Sequence, residues 1–152
     1  METLDRTVAT FQSTSFNTAE PKDYFINPCC FGDDLARWLI DRLRSTEIDT
    51  DSEPGQEDFG WYFNFKLGEN VYCVVLGFRP GEENEEGEWV AWVERTRGLV
   101  GSIFGFRKKD IERSAGNAIH TALLDPATIR NIRWHTRGDF DRGIDDQCSD
   151  MP

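Results

Sequence analysis

An alternation of aromatic residues with small or polar ones, in the middle of the chain, constrains the fold more than any other feature. The odd positions carry Phe59, Trp61, Phe63 and Phe65, and the even positions carry Gly60, Tyr62, Asn64 and Lys66. Successive side chains of a β-strand point to opposite faces, so the pattern predicts a strand with one aromatic face and one half-polar face. An aromatic face of this size must be buried, which requires a folded domain with a hydrophobic core.

The residues that follow this strand fix how it pairs with the next one. Gly68-Glu69 has glycine first, which is typical of a two-residue type II′ hairpin turn. Such a turn pairs Leu67 with Asn70 and, further along the ladder, Phe63 with Val74. In this register the whole aromatic face lies in the core, where we expect its side chains to be nearly fully buried.

Two more strands complete a three-stranded meander. Residues 71–78 are apolar on both faces and predict an inner strand, and residues 89–96 predict the third strand, with Trp89 on one face and Trp92 on the other. The flanking elements are a strand at 7–16, a helix at about 33–45 with Asp33 or Asp34 as its N-cap, a helix at 110–124 and a strand at 129–136. Residues 98–106 are apolar and rich in glycine and predict no particular element.

These elements predict an α+β fold. The sheet is antiparallel with about five strands, the order is β-α-β-β-β-α-β, and two helices pack on the aromatic face. This order is compatible with a ferredoxin-like arrangement plus one strand, an analogy that decides no function. A length of 152 residues fits one domain, which we place at residues 1–137, followed by a flexible acidic tail at 138–152.

The net charge of −11 is concentrated in three segments. Residues 47–58 hold six acidic and no basic residues, residues 82–88 hold five acidic residues, and residues 138–152 hold five against one arginine. The first two segments are predicted to lie at the same end of the sheet, opposite the Gly68-Glu69 turn. Charge there either keeps the protein soluble or attracts a basic protein partner or, weakly, a divalent cation.

The four cysteines, Cys29, Cys30, Cys73 and Cys148, have neither zinc-ligand spacing nor the pattern of a disulfide framework. The first ten residues lack the apolar core of a secretion signal, and no apolar run is long enough to span a membrane. We therefore expect a cytoplasmic protein with four free thiols, no metal site and no cofactor.

Candidate catalytic residues are few. His120 lies off the apolar stripe of its helix and is expected at the surface, while His135 lies in the last strand. A nucleophilic pair of Cys73 with His135 is conceivable, but a thiol among apolar strand residues is typical of an inert packing group. Glu57 and Asp58 are adjacent, so on a strand they point to opposite faces. The sequence thus predicts no catalytic residue.

A basic stretch at residues 95–113 follows the meander. It contains glycines at positions 98, 101 and 105 and then Arg107, Lys108 and Lys109, but it lacks the lysine placement and the following Ser or Thr that a phosphate-binding loop requires. A glycine-permitted close turn is the simpler interpretation. The acidic segments would repel a phosphate backbone, which argues against nucleic acid as the partner.

The sequence therefore predicts a non-enzymatic protein-binding module with an acidic surface, inhibitor-like or immunity-like in masking a basic target. The alternative is a small-molecule binder or enzyme that uses the half-polar sheet face. A flat acidic surface would favour the first and a deep pocket the second. The candidate binding residues are Asp58, Tyr62, Asn64, Arg79 and Trp92, together with Glu82, Glu83, Glu85 and Glu86.

Overall fold

The computed structural model describes residues 3–96, 107–108 and 111–152, and this part of the chain folds as α+β with eight strands and three helices. The strands are β1 (Arg6–Gln12), β2 (Asp49–Thr50), β3 (Gly55–Glu57), β4 (Gly60–Leu67), β5 (Asn70–Arg79), β6 (Glu88–Thr96), β7 (Arg107–Lys108) and β8 (Arg130–Thr136). The helices are α1 (Asp33–Ser45), α2 (Arg113–Leu123) and α3 (Arg137–Asp141). No helix in these described ranges has the length and apolarity to cross a membrane.

The sheet is antiparallel throughout its described pairs, in the order β2-β4-β5-β6-β1-β8. Its long elements follow the predicted order β-α-β-β-β-α-β, so the fold class is confirmed. The count of about five strands was too low, because β2 and β3 both pair with β4, and β7 pairs with β6. The first strand does not lie at an edge: β1 is inserted between β6 and β8.

The predicted register of the central hairpin is confirmed. Leu67 pairs with Asn70, Phe63 with Val74, and the intervening residues follow without a bulge. Gly68 has a φ of 60°, the left-handed value that the first position of a type II′ turn requires. Trp61, Phe63 and Phe65 are buried as predicted, with Phe63 completely inaccessible to solvent, whereas Phe59 is exposed.

Two helices cover the aromatic face, as predicted. Leu35, Leu39 and Leu43 of α1 recur at helical spacing and are buried against the sheet, and Ile119 of α2 joins the same core. Helix α1 spans the predicted residues, but its N-cap is Gly32. Asp33 and Asp34 instead lie in the first turn, where their charge favours the helix dipole.

The half-polar face is covered in its centre by a third helix that the sequence did not predict. Val8, Val75 and Val90 are buried on this face. Helix α3 lies over it, with the ring of Phe140 6.1 Å from the ring of His135. The fold thus has helices on both faces of the sheet, rather than two helices on one.

The segment 138–152, which we expected to be a flexible tail, makes specific contacts. Trp134 and Ser149 exchange backbone hydrogen bonds of 2.6 and 2.9 Å, and the guanidinium of Arg113 donates to the carbonyl oxygen of Pro152 at 3.1 Å. The segment therefore follows the outer edge of β8 and returns to α2.

The acidic segment 47–58 is an edge of the sheet rather than a loop at one end. Asp49 pairs with Lys66 next to the Gly68-Glu69 turn, and Gln56 pairs with Trp61 at the opposite end of β4. The prediction that this whole segment lies beside residues 82–88 was therefore wrong. The segment forms backbone hydrogen bonds with both ends of β4 and so extends along that strand. Acid on an edge strand discourages pairing with the edge of another chain.

Candidate functional site

A cleft opens on the half-polar face where β5 ends and β6 begins. Its volume is about 260 Å³. Its lining residues are Cys29, Cys30, Phe59, Gly77, Phe78, Arg79, Val90, Trp92 and Phe140, and we call it the apolar cleft. Gly77 forms its floor, because a Cβ added to this glycine would meet no atom within 4 Å.

The walls of the apolar cleft come from three elements that the sheet register brings together. Gly77 of β5 pairs with Val90 of β6, and Trp92 lies two residues further along the same face of β6. Helix α3 contributes Phe140. The guanidinium carbon of Arg79 lies 4.8 Å from the centre of that ring, and Arg79 also donates a hydrogen bond to the Glu88 carboxylate. Arg79 therefore holds the wall in place with its charge already paired.

The lip of the cleft is a loop at residues 24–30 that is fastened to residues 56–58. The Ile26 amide donates to Gln56 Oε1 at 2.8 Å, and Gln56 Nε2 donates to the Tyr24 carbonyl at 2.7 Å. The Asp58 carbonyl accepts from Asn27 Nδ2 at 3.2 Å and from Cys30 Sγ at 3.3 Å. These bonds give a defined shape to a loop that contains little regular structure.

Large apolar side chains are exposed on this lip and at Phe59, which itself lines the cleft. Tyr24, Ile26 and Phe59 are each more than half exposed, and among the described residues only Leu124 and Met151 are comparable. Isolated exposed apolar residues need no explanation, but a group beside an apolar cleft is typical of an interaction site.

A loop rich in glutamate adjoins the cleft, and we call residues 82–88 the acidic loop. The Glu85 amide donates to the Glu82 carbonyl at 2.7 Å, and Asn84 has a φ of 67°, so the loop forms a tight turn. Glu86 pairs with Arg130 at 2.5 Å. Within the described part of the chain, no ion pair involves Glu82, Glu83 or Glu85. The loop therefore presents a local negative potential next to the cleft.

The acidic loop walls a second hollow, of about 390 Å³. Its lining includes Arg79, Glu82, Glu85 and Glu86. Arg79 lines both this hollow and the apolar cleft, so the two adjoin at this residue. An apolar and a negatively charged concavity thus lie side by side.

The structure brings some of the predicted binding residues together and not others. Arg79 and Trp92 line the apolar cleft, and Asp58 lies at its lip. Asn64 is not in the cleft, because its amide and its side chain both donate to Asp51 Oδ2, at 2.9 and 3.0 Å. Tyr62 packs over Gly55, where a Cβ would lie 2.5 Å from the Tyr62 ring, and burial raises the pKa of the phenol. These two residues fasten the edge strands to β4.

Sequence reasoning missed Phe59 and Phe140 as residues of the site. The alternation pattern assigned Phe59 to the core, but Asp58 and Phe59 are the two turn residues between β3 and β4. The following Gly60 has a φ of 150°, which no ordinary strand residue adopts, so the alternation begins only after it. Phe140 lies in the segment predicted to be a tail, where a lone aromatic gives no signal.

The conceivable pair of Cys73 and His135 does not form. Cys73 is on β5 and His135 on β8, with β6 and β1 between them, which separates the strands by about 14 Å. Both side chains are buried. Nowhere in the described ranges do three or more potential metal ligands come together, and none of the four cysteines forms a disulfide.

The two histidines are both buried, so the prediction of a surface His120 was wrong. The Nδ1 of His120 accepts a hydrogen bond from Trp134 Nε1 at 3.0 Å, which holds the ring against the sheet. His135 Nε2 and Thr10 Oγ1 are 2.8 Å apart, and the ring lines a polar cavity of about 220 Å³ together with Arg133 and Asp145. Burial lowers the pKa of both imidazoles.

These buried histidines should make the protein less stable in mild acid. Burial lowers both histidine pKa values in the folded state, whereas an unfolded histidine has a pKa of about 6.5. Below that pH the unfolded chain therefore binds more protons than the folded protein does. Stability is therefore fully present above that pH and falls as the pH drops through it. Each such proton contributes a slope of up to about 1.4 kcal/mol per pH unit.

Urea unfolding at pH 7.5, 6.5 and 5.5 measures this slope. We expect the free energy of unfolding to fall by at least about 1 kcal/mol over this range. The slope should be smaller in His120→Gln, which keeps a hydrogen-bond acceptor for Trp134. Asp145 and Asp139 raise the pKa of His135, and Asp150 raises the pKa of His120, so these carboxylates oppose the effect of burial. An unchanged stability from pH 7.5 to 5.5 would contradict the burial of neutral imidazoles.

Another groove, of about 360 Å³, lies between α1 and α2 on the opposite side of the sheet. Its walls are short side chains such as Ala118 and Ala122, and Arg42 at its rim donates to the carbonyl oxygens of Ala122 and Leu124. Its described lining contains no aromatic residue and no charged residue besides Arg42, so the apolar cleft is the stronger candidate.

The predicted basic stretch is described only at its ends. The glycine-spaced segment, Arg97 and Lys109 lie outside the described residues, and Arg107 and Lys108 form β7. Arg95 is part of the sheet and donates to Asn70 Oδ1. Comparison of the chain with protein-family models, curated proteins and solved structures gives no match.

Proposed function

We propose that this protein is a non-enzymatic protein-binding module that docks a basic partner on the apolar cleft and the acidic loop. The observation that carries the proposal is that an apolar cleft with the exposed ring of Phe59 adjoins a loop with three glutamates that have no ion pair in the described chain. In an inhibitor-like or immunity-like role, this surface would cover a basic site of its target.

Size and openness favour a protein over a small molecule. Small-molecule pockets have volumes of roughly 300–1,000 Å³ and enclose most of the ligand, whereas the apolar cleft holds about 260 Å³ and opens to the surface. The alternative of a ligand site on the half-polar face is weakened further because Tyr62 and Asn64 are engaged with the edge strands.

The two parts of the surface would contribute differently to binding. Burying a large apolar side chain such as Phe59 contributes about 1.5–3 kcal/mol, and residues of this kind at the centre of an interface dominate its affinity. The glutamates act mainly on the association rate and on the choice of partner, and their effect is screened by salt.

Phe59→Ser should reduce partner capture at least tenfold, because it removes the exposed ring that lines the cleft without touching the core. Leu124→Ser is the matched control, since both residues are 54% exposed and Leu124 lies at the end of α2, away from the cleft. The measurement is affinity capture from lysate of the source organism, quantified by mass spectrometry at low and moderate salt.

The captured proteins that depend on Phe59 should be basic and should be retained by the Leu124 variant. A triple change of Glu82, Glu83 and Glu85 to Gln should reduce their capture most at low salt, because the salt-screened part of the attraction is then lost. If wild type and Phe59→Ser capture the same proteins in the same amounts, the proposed function is wrong.

A further inference from the structure

The charges and shape of the site also indicate how a basic partner would bind. Resting on the function proposed above, we propose that the apolar cleft receives one apolar side chain from a short linear segment of the partner, and that lysine or arginine residues flanking this anchor occupy the hollow of the acidic loop.

The first argument is the size and chemistry of the cleft. A volume of about 260 Å³ is below the range of small-molecule pockets and suits one large side chain. Its floor is the bare backbone at Gly77, and aromatic rings of Phe59, Trp92 and Phe140 stand around it. Arg79, the only cation among the described residues of its wall, is already paired with Glu88, so the described wall favours an uncharged occupant.

The second argument is charge complementarity in the adjoining hollow. Glu82 and Glu85 line it without an ion pair in the described chain, while Glu86 and Glu88 have arginine partners. A guanidinium or ammonium group placed there would gain charge-assisted hydrogen bonds, and an anion would be repelled.

The third argument is that the two concavities adjoin. Arg79 lines both the cleft and the hollow. An extended segment advances about 3.3 Å per residue, so a long basic side chain within three positions of the anchor spans the separation. One short segment can therefore occupy both sites at once.

Display of a random twelve-residue peptide library on phage tests the proposal. Selection on the wild-type protein should enrich peptides with one aromatic or branched aliphatic residue and at least two Lys or Arg within three positions of it. A synthetic peptide of the enriched sequence should bind at least tenfold more weakly to Gly77→Val, since the valine would fill the floor of the cleft.

Gly77→Val is a clean blocking variant because its Cβ meets no atom within 4 Å and valine favours strands. Its melting temperature should match or exceed that of the wild type. Leu124→Ser should bind the peptide unchanged, and the triple glutamine variant should bind several-fold more weakly with less dependence on salt.

A second readout uses the protein's own thiols. Cys29 and Cys30 line the cleft and Cys148 does not. Bound peptide should slow the alkylation of Cys29 and Cys30 and leave that of Cys148 unchanged, as followed by mass spectrometry of the digested protein.

The inference is overturned by a library that yields no enrichment over Gly77→Val, by enriched peptides without basic residues, or by binding that Gly77→Val leaves intact. Its failure is distinguishable from failure of the proposed function. Capture that depends on Phe59, together with an unproductive library, would mean that a folded surface rather than a linear segment docks here.

Discussion

Replacing Phe63 by alanine should lower the free energy of unfolding by about 3–5 kcal/mol, the range for deleting a large aromatic side chain from a core. Phe63 has no solvent-accessible surface, lies opposite Val74 in the β4–β5 ladder and belongs to the core that the helices cover. Because domains of this kind are stable by only roughly 5–15 kcal/mol, the variant should lose a large fraction of its stability.

Urea denaturation followed by tryptophan fluorescence measures this loss, with Lys66→Ala as the control on the same strand. Lys66 is exposed on the opposite face, so its replacement should change stability by no more than about 0.5 kcal/mol. Equal effects of the two substitutions would mean that the register of β4, and with it the assignment of the core face, is wrong.

Replacing Gly60 by alanine should lower the free energy of unfolding by at least about 2 kcal/mol. Two causes act together. The φ of 150° is strained for any residue with a side chain, and a Cβ would lie 2.4 Å from the carbonyl oxygen of Leu76. Relief of that contact requires β4 to move away from β5, because the obstacle is backbone rather than a flexible side chain.

Gly77→Ala is the matched control in the neighbouring strand. Its Cβ would meet no atom within 4 Å, so alanine should be neutral or slightly stabilising. Chemical denaturation of both variants gives the comparison. A Gly60→Ala protein as stable as Gly77→Ala would show that the turn between β3 and β4 does not have the described conformation.

The sequence predicted those features of the fold that depend on residues close together in the chain. The pairing of Phe63 with Val74 follows from the alternation of side chains and one two-residue turn, so it could be derived and is confirmed. Helix α1 has strong apolar periodicity and was placed at Asp33–Ser45. Both signals lie within a few residues of the structure that they specify.

The features that could not be predicted depend on contacts between distant residues. His120 is buried because Trp134 donates a hydrogen bond to its Nδ1, and no local sequence pattern indicates that bond. Helix α3 has only five residues and a single aromatic, Phe140, so it has no amphipathic signature. Its position over the sheet depends on Arg79, far away in sequence.

The candidate site combines both kinds of feature. Arg79, Trp92 and the glutamates of the acidic loop were identified from the sequence because they follow directly from the meander and its turn. The cleft itself could not be identified from the sequence. Its walls also include Cys30 and Phe140, which come from segments without hydrophobic periodicity.

The insertion of β1 between β6 and β8 has a consequence for how the chain reaches this fold. The hairpins of β4, β5 and β6 join neighbours in sequence and can form early, whereas the bond between Thr10 and His135 joins residues 125 positions apart. On the ribosome, β1 is made first and finds its last partner only after β8 has emerged. We therefore expect the docking of β1 between β6 and β8 to set the rate of folding.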